Sequence, residues 1–154
     1  MVGGLWKQLK STHVIPIWNL GSEEMNGYAL FMKVNLSAFG PDGIINDQRE
    51  LQLSTGKLPL PLDLVASRHA AGSSVVEVSW KNDPNLKGIR LQDELMFVSY
   101  ANVVYSVLSS TGLRRSAQGG TFTLPVKPVD ATHVYLFFAS IDGNDYSESV
   151  CFEI

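Results

Sequence analysis

Apolar and polar positions change their spacing once along the chain, near residue 50. Before that point they recur at three and four. Met25, Tyr28, Ala29, Met32, Leu36 and Phe39 fall on one helical face, with Phe31 and Val34 flanking it, so the pattern predicts a helix from Ser22 to Phe39. Ser22 suits its N-cap, because a hydroxyl there accepts from an orphan amide. Glu23 and Glu24 follow where the helix dipole favours negative charge. Gly40-Pro41-Asp42-Gly43 stops the helix, and Gly27 weakens it. Ahead of this helix, Leu5, Trp6, Leu9, Val14, Ile17 and Trp18 form a second apolar set, interrupted by Gly3-Gly4 and Pro16. It reads as a short helix or an irregular apolar arm. Two of the three tryptophans lie in it, which is apolar surface that must fold back on the protein or dock on another chain.

From Leu51 the period falls to two. Leu58, Leu60, Leu62, Leu64 and Ala66 alternate through a stretch broken by Pro59 and Pro61. Proline cannot donate to a ladder, so this is an edge strand or an extended connector. Val76, Val78 and Trp80 alternate with polar neighbours in a clean strand pattern. Asn82-Asp83-Pro84-Asn85 is a turn signal. Glu94 to Tyr100, Val103 to Leu108, Thr121 to Leu124, His133 to Ala139 and Ser149 to Ile154 complete the strand set. A polar loop holding Arg114 and Arg115 lies between Thr111-Gly112 and Gly119-Gly120. No helix-length segment separates the strands, which favours antiparallel sheets over a parallel one. The expected fold is therefore mainly β: a seven-stranded antiparallel β-sandwich with an N-terminal helical segment. Residues 1–50 form the helical arm and helix, 51–61 an extended connector, and 62–154 the sandwich.

Three segments of the β region resemble a fibronectin type III or immunoglobulin-like sandwich. SVVEVSW ends its strand on Trp80, THVYLFFAS carries Tyr135 in the penultimate strand, and YSESVCFEI follows a Gly-containing turn. A second resemblance runs from about Met25 to the end. GYALFMKVNLSAF, LQLSTGKLP, VSW, STGLRR, TFTLPV and VYLFFASIDGNDYSESV are similar to a family of uncharacterised proteins from Bacteroidota, defined as a domain of unknown function. Members of that family carry an additional Gly-rich, basic N-terminal segment, here absent or reduced to MVGGLWKQ. This resemblance implies a fold and a source but no activity.

Composition narrows the function classes. A chain of 154 residues has the size of one domain, or of one domain with a short appendage. Net charge is −3, without the clustered Lys and Arg of a nucleic-acid footprint. No run approaches a membrane span, and the N-terminus lacks the apolar core of a leader. Synthesis in the cytoplasm is expected, with incorporation into a virion as one destination. The lone Cys151 can form neither an intrachain disulfide nor a thiolate cage, and Glu148 and Glu153 nearby oppose a reactive thiolate. His13, His69 and His133 lack metal-ligand spacing and suit strand edges or the surface. IDGNDYSE reads as a hairpin turn, since a calcium loop needs its glycine and its final glutamate elsewhere. The pair Glu23/Glu24 suits a helix start, and Asp93/Glu94 a solvated strand entrance. There is no G-x-S-x-G and no phosphate-binding glycine loop. No catalytic residue, metal or cofactor is expected.

What remains is binding. Trp6, Trp18, Tyr28 and Phe31 are candidate anchors for a protein partner or a second copy, although most aromatics belong to their own core. The first expectation is thus a structural or assembly module, in a virion or a bacterial surface assembly. The alternative is a sandwich that binds carbohydrate or another ligand through Tyr100, Tyr105 and Tyr146. In that case Arg114 and Arg115, with Lys81 or Lys87, would form a small anion spot, against the plainer reading of a solvated loop. An enzyme of unrecognised type would need several titratable groups converging in a polar pocket.

Overall fold

The period-two runs become strands, and the alternation decides which face each side chain takes. The computed structural model describes residues 2–22, 24–125 and 130–154, and within them the chain is mainly β, with antiparallel strands in two sheets. Strands β1 (Leu62–Arg68), β2 (Val75–Lys81) and β6 (Gly119–Thr123) form a three-stranded sheet in the order β1-β2-β6. Strands β3 (Glu94–Ala101), β4 (Val104–Tyr105), β5 (Ser109–Arg114), β7 (His133–Ala139) and β8 (Val150–Glu153) form a five-stranded sheet. Its order is β4-β3-β7-β8, and β4 and β5 pair successive stretches of the β3 edge that β7 leaves open.

One core lies between the sheets. Val76, Val78, Trp80 and Phe122 of the smaller sheet meet Leu95, Phe97, Val134, Leu136 and Phe138 of the larger one. The Trp80 ring stands edge-on to Phe138 at 5.5 Å, and its indole nitrogen donates to the Arg115 carbonyl at 3.2 Å. A buried indole needs such a partner, because an unsatisfied N–H in the core is costly.

A second core lies on the outer face of the larger sheet. The intervening residues of the same strands, Val98, Tyr135 and Phe137, face it, and the N-terminal helices cover them with Leu9, Val14, Ile17, Trp18 and Phe31. The arm therefore folds back on its own sheet. It consists of α1 (Val2–Gln8), a 3-10 turn (Leu9–Thr12) and α2 (Ile15–Gly21). Pro16 sits in the first turn of α2, where its missing N–H costs nothing, and His13 takes the left-handed conformation between the two segments (φ 69°). Each fully buried large side chain contributes about 1.5–3 kcal/mol, so this layer is part of the fold's stability.

Four expectations need correction. The helix expected from Ser22 is α3, Gly27–Asn35, and its N-cap is Asn26, whose side chain accepts from the Ala29 amide at 2.8 Å. Ser22 instead closes α2 by donating to the Asn19 carbonyl, and Glu23 lies outside the described residues. The buried face of α3 is Gly27, Phe31 and Asn35, not the stripe through Met25 and Leu36, which are exposed. Gly27 fixes that rotation: a Cβ there would meet the Asn19 side chain at 2.2 Å and its backbone nitrogen at 3.0 Å. The strand expected over Val103 to Leu108 shrinks to β4, because Asn102 and Val103 turn the chain with positive φ. The segment before Arg115, expected to be a loop, is strand β5.

Residues 51–61 run extended as a strap across the 146–149 segment. The Leu53 amide donates to Ser149 Oγ at 2.9 Å, Ser54 Oγ to the Ser147 carbonyl at 2.7 Å, and the Leu58 amide to the Tyr146 carbonyl at 3.1 Å. At Gly56 the two backbones touch so closely that a Cβ would lie 2.0 Å from the Tyr146 carbonyl oxygen.

Candidate functional site

The four aromatics nominated as anchors come together in one cluster. Trp6 lies 5.7 Å from Tyr28 and 5.2 Å from Phe31, and Phe31 stands edge-on to Trp18 at 5.0 Å. Trp18 and Phe31 are fully buried in the chain's own core, and the Trp18 indole donates to the Leu53 carbonyl at 3.0 Å. Trp6 and Tyr28 are half-buried at the rim of the cluster. Outside it, the helical layer presents Leu20, Met25, Val34 and Leu36 to solvent, and the turn that follows it presents Ile44, with Leu36 61% and Ile44 64% exposed.

The tyrosines nominated as ligand-facing divide. The Tyr100 and Tyr105 rings lie 4.8 Å apart, tilted by 49°, and line a notch of about 310 Å³ between α1, the Phe39–Gln48 segment and the β3–β4 hairpin. Tyr105 is buried, and its hydroxyl donates to Gln48 Oε1 at 2.8 Å, as does that of Tyr135. Burial pushes both phenols above their ordinary range. Tyr146 belongs elsewhere, beside Phe137 at 6.3 Å.

Arg114 and Arg115 diverge where β5 ends at Arg114 and a 3-10 turn begins at Arg115. Arg114 is exposed, and its guanidinium donates to the Gln92 carbonyl at 2.7 Å. Arg115 is 1% exposed. It donates from Nε to Asp93 Oδ2 at 2.9 Å and from Nη2 to the Pro59 carbonyl, and its guanidinium carbon lies 4.2 Å from the centre of the Phe138 ring. Asp93, expected at a solvated strand entrance, is likewise 1% exposed. Its second oxygen, Oδ1, accepts no hydrogen bond among the described residues and lies 3.6 Å from Arg90 Nη1. One buried carboxylate thus stands between two guanidinium groups. Burial pushes the Asp93 carboxyl up and the Arg115 guanidinium down, and in each the ion pair works against that shift.

Arg115 forms the floor of a cleft of about 560 Å³. The strap supplies one wall through Leu58, Pro59, Leu60 and Pro61, and the turn after β2 supplies the other through Leu86 and Ile89. Lys57, Lys87, Arg90 and Arg115 line it, against the carboxylates of Asp83 and Asp145. Arg115 and Lys87 are among the cations that the sequence suggests for an anion spot, with Arg115 read as part of a solvated loop; Arg90 is not. Its signal was the segment NLKGIRLQD, which follows a turn and interleaves cations with apolar residues that no strand period explains.

Among the described residues no three His, Cys, Asp or Glu side chains are grouped to hold a metal ion, and no helix is long and apolar enough to cross a membrane. Asp142 is committed to its turn, accepting from Ser140 Oγ at 2.6 Å and from the Asn144 amide at 3.0 Å. Cys151 is partly buried against the helical core, and burial pushes its thiol up to about 12. Set against known proteins, the chain matches no family model and no curated protein.

Proposed function

We propose that the chain is a non-enzymatic assembly module, a fibronectin III- or immunoglobulin-like sandwich that meets its protein partner, or a second copy, through the outer surface of its helical layer. The larger complex is of the kind found in a virion or on a bacterial surface. The strand order supports the sandwich type: with β4 and β5 taken as one interrupted strand, β1-β2-β6 faces β4/β5-β3-β7-β8. The observation that carries the assembly reading is the helical layer itself. It is packed inward through Trp18 and Phe31, yet Leu20 and Leu36 on its outer side, and Ile44 in the turn that follows it, are each more than half accessible. Apolar side chains kept at the surface of an otherwise satisfied layer suit a contact with another chain.

The test is light scattering on the purified chain and on Leu36→Asp/Ile44→Asp. We expect the chain to self-associate or to be held by its partner assembly, and the double variant to lose that association while keeping its thermal midpoint within a few degrees. A chain that stays monomeric and joins no assembly, or a variant that associates as before, overturns the reading.

A further inference from the structure

We propose that the cleft between the strap, the Asp83–Arg90 turn and Arg115 is a binding site for a small organic anion, one with an apolar body and a single anionic head. This site is separate from the surface assigned to assembly. Three observations carry it. The first is size: about 560 Å³ is the volume of a small-molecule site.

The second is unbalanced charge. Two guanidiniums, Arg90 and Arg115, share the single carboxylate of Asp93, which leaves one positive charge in excess at the cleft floor. Lys87 adds another, and among the described residues its side chain makes no ion pair or hydrogen bond. Asp83 and Asp145 oppose them with two negative charges and Lys57 adds a further positive one, so the lining together with Asp93 carries one net positive charge. A chain of net charge −3 therefore keeps one partly enclosed hollow net positive, where low-dielectric walls focus the field.

The third is pre-organisation. Arg115 is fixed at Asp93, at the Pro59 carbonyl and over Phe138, so it can place the floor of the site without moving. Arg90 donates no hydrogen bond to Asp93 Oδ1 and keeps its donors for an incoming oxyanion. The walls are apolar, with Leu58, Leu60 and Leu86 alongside Ile89, which is 62% exposed at the rim. An anion without an apolar body would leave those walls wet, and an apolar ligand without a head would leave the cations unanswered. Carboxylate and phosphate heads share the chemistry required.

The experiment uses 8-anilinonaphthalene-1-sulfonate as the fluorescent probe, with octanoate, octyl phosphate, octanol and inorganic phosphate as competitors. Amide chemical-shift mapping on the folded chain locates each of them. We expect the probe to shift residues 57–61, 83–90 and 115. Octanoate or octyl phosphate should displace it, and whichever does so more tightly identifies the head. Octanol and inorganic phosphate should compete at least about tenfold more weakly, since one lost charged contact or the lost apolar body is worth that much. Lys87→Gln should weaken the probe about threefold and Lys87→Gln/Arg90→Gln about tenfold or more. Lys81→Gln, whose lysine pairs with Asp63 outside the cleft, should change nothing. Because Arg90 touches Asp93, Ile89→Gln serves as a second variant at an exposed wall position and should weaken octanoate more than inorganic phosphate. Shifts confined to other surfaces, equal competition by octanol, or affinity unchanged in Lys87→Gln/Arg90→Gln would each overturn the proposal.

Discussion

Asp93 shows how one side chain can carry both a structural bond and a stored imbalance. Its Oδ2 accepts from Arg115 at 2.9 Å, but its buried Oδ1 accepts from nothing among the described residues, and desolvation outweighs the guanidiniums that favour the charged form. The folded carboxyl therefore holds its proton to a higher pH than the unfolded one, whose ordinary value is 3.8. A raised value means that this site's contribution is full below 3.8 and is lost as pH rises through the folded value. Asp47 and Asp142 run the other way. Arg49 beside Asp47, and the Ser140 hydroxyl with the Asn144 amide around Asp142, hold those carboxyls below 3.8, so their contributions fade as pH falls. A carboxyl-carbon titration followed by NMR should place the Asp93 midpoint above 3.8 and the other two below it; an Asp93 midpoint below 3.8 sinks this account. Asp93→Asn removes the counter-charge of a buried guanidinium and is expected to cost about 3–5 kcal/mol in urea unfolding. A loss under about 1 kcal/mol would show the pair to be better solvated than its burial implies.

At the scale of elements, the strap over residues 51–61 is held by backbone and short hydroxyls, not by a ladder of its own. Its closest contact is Gly56 against Tyr146, where an alanine methyl would overlap the carbonyl and force the backbones apart. Overpacking of that kind costs about 1–3 kcal/mol. We expect Gly56→Ala to lose stability in that range and to speed amide exchange at Leu58, whose N–H bonds the Tyr146 carbonyl. Unchanged exchange at Leu58 would mean that the strap is anchored elsewhere. The sequence disclosed the strap and most strands because their signals are local: prolines forbid a ladder at 59 and 61, and Val76, Val78 and Trp80 alternate without exception. It misplaced the helix because two faces of the 25–39 segment are apolar, and only contact with Asn19 decides that Phe31 turns inward. It missed Arg115 because nothing local distinguishes a buried arginine from its solvated neighbour; the distinction comes from Asp93, which is distant in sequence, and from Phe138.

For the whole molecule the decisive feature is that one sheet serves two cores. Along β7, Val134, Leu136 and Phe138 face the smaller sheet while Tyr135 and Phe137 face the helices, and β3 divides in the same way between Leu95 with Phe97 and Val98. This explains the unbroken apolar run VYLFFA: a strand with one wet face alternates, and a strand covered on both faces does not. The cover comes from the N-terminal helices together with Leu51 and Leu53 of the strap. The arrangement also couples the layers. If the helices leave, Val98, Tyr135 and Phe137 lose much of their cover, and the strands whose other faces hold the sandwich core are opened on their outer side. The helical layer and the sandwich should therefore unfold in one transition, as single cooperative units do. Trp18 reports the helical core and Trp80 the sandwich core, each fully or nearly buried. In Trp80→Phe, where the remaining indoles sit in the helical layer, the fluorescence midpoint in urea should coincide with the far-ultraviolet circular dichroism midpoint. In Trp18→Phe the same coincidence should hold, at whatever lower stability that variant has. An earlier fluorescence midpoint in Trp80→Phe would show the helices peeling off a sandwich that stands alone, and would turn the two-core sheet from a coupling element into a docking platform.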